Sequence, residues 1–380
     1  MGLWQRIAPP SHSRVGKRAW TFQGRLRVVS VIAWTLAILL GIELVAQVRE
    51  QLLSGRSALN HLDGSPPDFT RDPVTGLRLL RPNAVIRGQV QEIRSNSLGL
   101  RSDEIPSPKP PGERRIALVG ASSVMGAFST TNDDTLPAFL QRSLQARLPA
   151  ARIRVVNAGI TGAALIDERR MLDYLAEHVA PDLVIVYAGS NDLTQFCREK
   201  PDPATGAAAY RLPQLALPSG LLSVDLLLKN TVSLRPVQKV STRLVDAERL
   251  DLGRIRTQLE ALIAAAQQRG IPIVLSTNAT SYRREQAPDK RQRLAQTALY
   301  YNSCFDLPGL VTVNERFNAL IREVAASRGV AVLPVGETVP GGPTYFHDSV
   351  HFTSAGKRLV AEIYADHVLS RGALVWDAQR

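Results

Sequence analysis

From Arg115 onward, short apolar runs alternate with longer stretches in which apolar positions recur three and four residues apart. The runs are Ile116–Val119, Ile153–Asn157, Leu183–Tyr187, Ile273–Ser276 and Ala331–Val335. The stretches between them include Leu136–Leu148, Ala163–Val179, Leu252–Arg269 and Val313–Ser327, the last capped by Asn314. Apolar runs of four or five residues suit strands covered on both faces, and each leads into sequence of helical length and period. The pattern predicts an α/β fold, a parallel sheet with helices on both sides. It breaks between Phe196 and Asp246, where Pro201, Pro203, Pro213 and Pro218 flank an apolar patch, Leu221–Leu228. This is an insertion of about 197–246 after the third strand, where open α/β sheets bind ligands. A lid or acceptor surface and a packing elaboration both fit it.

Upstream the period is weak. Residues 49–112 are rich in Pro, Gly, Ser and Arg and end in Pro106, Pro108, Pro110 and Pro111. They are expected as a linker with some ordered pieces, among them Asn96–Arg101, which can wrap the edge of the following domain, 113–380. Ahead of the linker, Val28–Val48 is apolar except for Ser30, Thr35, Glu43 and Gln47. At about 1.5 Å per residue it reaches across a hydrocarbon core of roughly 30 Å. An apolar circumference distinguishes it from a core helix, and Leu44 and Ala46 make a poor cleavage site, so an uncleaved anchor is expected.

Charge changes the picture at the amino terminus. The chain has 46 Lys and Arg against 34 Asp and Glu, yet Arg6, Arg14, Lys17, Arg18, Arg25 and Arg27 all precede the apolar segment, with no acid among them. Bases on that side keep residues 1–27 in the cytoplasm and export the chain beyond the helix at 28–48. In a bacterial setting this is a single-pass inner-membrane protein with a periplasmic domain. The remaining 40 bases and 34 acids are a mild excess, and nucleic acid is not expected as a partner. Cys197 and Cys304 are too few for a disulfide framework and wrongly spaced for zinc; whether they pair is left open.

Candidate chemistry clusters where strands end. The first run empties into Gly120-Ala121-Ser122-Ser123, which exposes a hydroxyl at a strand's carboxyl end. The second leads into Asn157-Ala158-Gly159-Ile160-Thr161-Gly162, and the third into Gly189-Ser190-Asn191-Asp192. Near the carboxyl end stands Asp348-Ser349-Val350-His351. A phosphate loop at Gly120–Thr130 would need Gly-Lys-[Ser/Thr], and an α/β-hydrolase elbow would need glycine where Val124 stands. His347, Asp348 and His351 lack a further cluster to complete a metal site.

These four segments resemble the four blocks of the SGNH (GDSL-like) hydrolase superfamily, in order and over roughly residues 113–370. Ser122, Gly159, Asn191 and His351 match its Ser, Gly, Asn and His, and Asp348 its acid three residues before the histidine. The resemblance implies a three-layer α/β/α sandwich with a five-stranded parallel sheet, flavodoxin-like in outline. It also implies a Ser122–His351–Asp348 triad, an oxyanion hole from Ser122, Gly159 and Asn191, and no cofactor or metal. Ala121 departs from the aspartate usual there, which puts the steadiness of the nucleophile loop in question. The expected activity is serine esterase action on O-acyl, above all O-acetyl, esters of carbohydrate or lipid. An O-acetyltransferase with the same site and an inactive carbohydrate-binding relative stay open.

Overall fold

A computed structural model describes residues 22–54, 68–88, 91–198, 223 and 244–370 of the chain. Among them, nine strands fall into three sheets. Two sheets are antiparallel ribbons: β1 (Phe69–Arg71) with β2 (Arg78–Leu80), and β3 (Val85–Arg87) with β4 (Glu92–Arg94). The third is wholly parallel and holds β5 (Glu113–Gly120), β6 (Arg152–Gly159), β7 (Leu183–Tyr187), β8 (Ile273–Ser276) and β9 (Ala331–Leu333), in the order β6-β5-β7-β8-β9.

Every residue of β7 and β8 is buried, as wholly apolar runs require when both faces of a sheet are covered. Side chains alternate between two cores. Ala117, Val119, Val184 and Val186 pack with α4 (Leu165–His178), α6 (Gly253–Gln268) and α7 (Leu307–Ser327). Ile116, Leu118, Leu183 and Ile185 pack on the other side with α3 (Leu136–Arg147) and α8 (Ser354–Ser370). The result is the three-layer α/β/α sandwich. Gly120 pairs with both Gly159 and Tyr187, so the central strands end level and their following loops share one rim.

One sequence expectation needs correction. Helix α7 starts at Leu307, six residues before Val313, and is capped by Asp306, whose Oδ1 accepts the Gly309 N–H at 2.7 Å. Asn314 is instead a buried residue inside the helix. Within residues 68–112, Leu77, Leu79, Leu100 and Ile105 belong to the same core as α4 and α6.

Helix α1 (Phe22–Ser54) extends beyond the apolar segment at both ends. Its stretch Arg27–Arg49 contains an 18-residue window with a mean hydropathy of 2.4 and is long and apolar enough for a single membrane span or a signal sequence. Trp34, Leu40 and Val45 are exposed along it. Glu43 accepts hydrogen bonds from the N–H of Ser223 at 2.9 Å and its hydroxyl at 2.5 Å. Apart from Ser223, the insertion from residue 199 to 243, including the patch Leu221–Leu228, lies outside the described residues, as do residues 1–21 and 371–380.

Candidate active site

The rim geometry begins with a glycine. A Cβ on Gly120 would collide with the Tyr187 carbonyl and the Val124 side chain, so glycine is needed for β5 to turn at once into the short helix α2 (Ser122–Met125). The turn presents Ser122, whose Oγ lies 2.8 Å from Nε2 of His351. On the far side of the imidazole, Nδ1 lies 2.7 Å from Oδ2 of Asp348. The other carboxylate oxygen accepts the N–H groups of Val350 and His351, both at 2.9 Å. An alcohol, an imidazole and a carboxylate in this series can remove the alcohol's proton and hold the resulting cation.

Burial pushes the Asp348 carboxyl up, but the bond and charge of His351 and the two backbone N–H donors outweigh it and hold it below its ordinary value. It therefore stays ionised as a partner for an imidazolium. The loop is pinned from outside. Ser349 donates to the Leu294 carbonyl at 2.8 Å and accepts the Ala298 N–H at 3.0 Å.

The neighbouring hydroxyl is otherwise engaged. Ser123 Oγ donates to the Val350 carbonyl at 3.2 Å, tying the nucleophile turn to the histidine loop. Ala121 leaves that turn intact, because its carbonyl accepts the N–H groups of Val124 and Met125 at 3.1 and 2.9 Å. Backbone bonds do the steadying at this position.

Of the three expected oxyanion donors, Gly159 needs correction. Its N–H already donates to Asn157 Oδ1 at 3.1 Å, and a Cβ there would strike the backbone of Met125. Gly159 is a spacer that lets β6 approach the nucleophile helix. Asn191 does sit by the rim: its Nδ2 donates to the Ala163 carbonyl at 2.7 Å, leaving a second amide hydrogen. That bond sets Asn191 against the turn containing Gly162, which has φ +82° and nothing within 4 Å of its Cβ position.

Several supporting residues escaped the sequence reading. Arg101 is buried and donates to the carbonyls of Gly126 at 2.8 Å, Thr131 at 3.0 Å and Met125 at 3.3 Å. It thus caps the carboxyl end of α2, and burial lowers its pKa to about 10 against the opposing charge of Asp134. Buried Lys357 of α8 bonds Ser129 Oγ at 2.8 Å and Asp134 at 3.1 Å, fixing the same loop. Phe128 has φ 62° and stays about half exposed, with its ring stacked 5.1 Å from His347 and edge-on 5.5 Å from His351. A non-glycine residue held at positive φ beside His351 is the kind of strain that marks functional loops.

Behind Asn191 lies a carboxyl pair. Asp192 accepts the Leu165 N–H at 3.1 Å; its pKa is pushed up to about 7, chiefly by burial, with Leu165 and Arg254 pulling down and Asp167 pushing up. Glu168 is wholly buried with neither oxygen hydrogen-bonded, and burial and Asp192 raise its pKa well above the ordinary range. The signal for it was in the sequence: Glu168 lies on the apolar stripe formed by Leu165, Met171, Leu172 and Leu175. Cys197, at the far end of α5 (Ser190–Arg198), forms a disulfide with Cys304. Among the described residues no group of three or more His, Cys, Asp or Glu could hold a metal ion.

No curated protein sequence matches the chain. Solved structures similar to it include an α/β hydrolase enzyme from the metagenome of Lake Arreo, Spain, at 15% identity over 69% of this chain and 96% of that one, with a TM-score of 0.42. An acetyl xylan esterase is similar at 14% identity over 67% and 99%, with a TM-score of 0.40. A lipase/acylhydrolase from Enterococcus faecalis is similar at 18% over 68% and 96%, with a TM-score of 0.39. The sequence profile of the GDSL-like Lipase/Acylhydrolase family matches residues 118–359, from the strand before Ser122 to the helix after His351. The chain therefore belongs to the GDSL-like lipase/acylhydrolase family of ester-hydrolysing serine hydrolases.

Proposed function

We propose that this enzyme hydrolyses O-acyl esters, above all O-acetyl esters, on envelope or exported polysaccharide through an acyl-Ser122 intermediate. The observation that carries the reading is the unbroken series Ser122 Oγ, His351 Nε2, His351 Nδ1 and Asp348 Oδ2, with links of 2.8 and 2.7 Å. Ser122 Oγ attacks the ester carbonyl while His351 Nε2 takes its proton, and Asp348 orients the ring and stabilises its cation. The imidazolium then protonates the departing sugar oxygen. Water, deprotonated by the same imidazole, attacks the acyl-serine and frees the acid. The oxyanion receives the Ser122 N–H, which as the first of α2 has no intrahelical acceptor, and the second amide hydrogen of Asn191. The turn at Gly162 supplies a third donor in place of Gly159, whose N–H is already used. The Phe128 ring offers apolar contact suited to a short acyl group.

An exported setting is supported by three features: the basic residues before the apolar segment Val28–Val48, the length and apolarity of that segment, and the Cys197–Cys304 disulfide. Disulfides persist in oxidising compartments such as the bacterial periplasm. The full chain in detergent, given p-nitrophenyl acetate, an O-acetylated glycan and a fluorophosphonate, tests the reading. Acetate release from both esters and labelling that vanishes in Ser122→Ala are expected. Ready cleavage of lysophospholipid with no action on the acetylated glycan would count against the substrate class. Acetyl groups passed intact to an added unacylated glycan would make the enzyme a transferase.

A further inference from the structure

A cavity of about 280 Å³ opens beyond the carboxyl ends of β8 and β9. It is close to the lower end of small-molecule sites, about 300 Å³. Because the sheet is parallel, it lies at the same end as the loops bearing Ser122 and Asn191. The segment after β8 joins it to the catalytic loop. Ser281 donates its N–H to the Ser349 carbonyl at 3.0 Å, next to Asp348, while its neighbours Thr280 and Tyr282 line the cavity. On the other side, Asn278 touches the loop of Asn191: a Cβ on Gly189 would strike its side-chain amide. The Asn278 amide also donates to Asn314 Oδ1 at 3.4 Å.

The lining decides what the cavity can hold. Arg283, Arg284 and Arg322 are matched by Glu285, Glu315 and Glu337, so its formal charge is balanced. Arg284 is paired with Glu315, and Arg322 with Glu337. A site for an anion would leave cationic groups uncommitted; here each of those two guanidiniums already has its carboxylate. Asn314 lines the wall, and its amide nitrogen has no acceptor among the described residues. Asn318 is locked by two bonds to the Asn278 backbone, at 2.8 and 2.9 Å. Paired carboxylates, guanidiniums and a carboxamide offer donors and acceptors side by side, the requirement for vicinal hydroxyls, and Tyr282 and Val311 add apolar wall for the face of a sugar ring.

We infer that this cavity is a subsite for an uncharged, hydroxyl-rich glycosyl unit of the acyl-bearing polymer, held beside the catalytic loop by Arg284, Glu315 and Asn314. The inference rests on the esterase reading for calling that unit part of the substrate; binding itself does not depend on catalysis.

The experiment measures binding of unacylated xylotetraose, cellotetraose and tetragalacturonate to the full chain in detergent by calorimetry or ligand-observed NMR. At least one neutral tetrasaccharide is expected to bind with a dissociation constant below about 10 mM. Arg284→Met and Glu315→Gln are each expected to weaken it at least about tenfold. Both side chains are half exposed or more, so the variants should keep the wild-type melting midpoint; should one fail to fold, the other decides. Ser122→Ala should bind as the wild type does. The subsite is overturned if neither neutral sugar binds, if both folded variants bind undiminished, or if tetragalacturonate alone binds. Loss of fluorophosphonate labelling in the wild type, with sugar binding intact, would remove the esterase reading and leave the subsite standing.

Discussion

Arg101 Nη1 lies 2.8 Å from the carbonyl oxygen of Gly126, the residue that ends the helix begun by Ser122. A buried guanidinium there adds charge-assisted bonds to the carbonyls of Met125, Gly126 and Thr131, beside the Ser129 N–H that already reaches Gly126 at 3.0 Å, and its removal would break that network in a dry interior. Arg101→Met should therefore destabilise the fold by about 3 kcal/mol, on the scale of breaking a buried charged network. Urea unfolding checks the stability. The surviving folded enzyme should show a lowered kcat for p-nitrophenyl acetate, because the nucleophile turn has lost its support.

The two adjacent hydroxyls should separate cleanly. Ser122→Ala should abolish fluorophosphonate labelling and lower kcat by about 10⁴-fold or more. Ser123→Ala, which removes only the bond to the Val350 carbonyl, should keep its label and lose roughly tenfold or less. Intact-protein mass spectrometry after labelling reads both results.

Asn191→Ala and Gly159→Ala should fail in different ways. Losing the Asn191 amide should lower kcat by about 10²- to 10³-fold with little change in melting temperature, the behaviour of an oxyanion donor. Gly159→Ala puts a methyl group against the Met125 backbone, so thermal unfolding should shift down first, with activity lost through displacement of α2. A normal melting curve for Gly159→Ala would contradict the spacer role.

Asp192 gives stability a pH dependence of unusual sign. Its folded pKa, about 7, stands above the ordinary 3.8, so the folded chain binds the extra proton between those values. The Asp192 contribution is complete below about pH 4, declines as pH rises toward 7, and is lost above it. Asp167, Glu168 and Arg254 act on the same carboxyl. Relative to Asp192→Asn, the wild type should lose melting temperature steadily from pH 5 to about pH 7 and level off above it. A constant difference between the two across that range would refute the assignment.

The Cys197–Cys304 bond closes a loop with a sequence separation of 107 residues and anchors the helix that begins at Ser190. For a loop of that length the chain-entropy estimate is about 4–5 kcal/mol. Reduction, or Cys197→Ser, should lower the unfolding midpoint accordingly, and unreduced peptide mapping should recover the linked fragments.

Much of the fold could be read directly from residue pattern. Runs such as Leu183–Tyr187 are apolar at every position because both sheet faces are covered, so their strand character and burial follow without knowledge of partners. Helix ends were read less well. Asn314 looked like a cap, whereas Asp306 holds that place, since caps depend on a single side-chain bond and several residues could supply one. The weak period of residues 49–112 hid ribbons whose leucines join a core made mostly by distant helices.

The order of segments ending in Ser122, Asn191 and His351 determined the family, and with it which residues to propose as nucleophile, base and acid, because each motif is short and local. Only the tertiary structure decided which backbone N–H groups remain available and what supports the nucleophile. Gly159 and Gly162 differ little as letters, but hydrogen bonds are exclusive: Asn157 has claimed the first, and no local pattern shows it. Arg101 likewise acts through carbonyls 24 and more residues away, a relation that exists only once the chain has closed on itself.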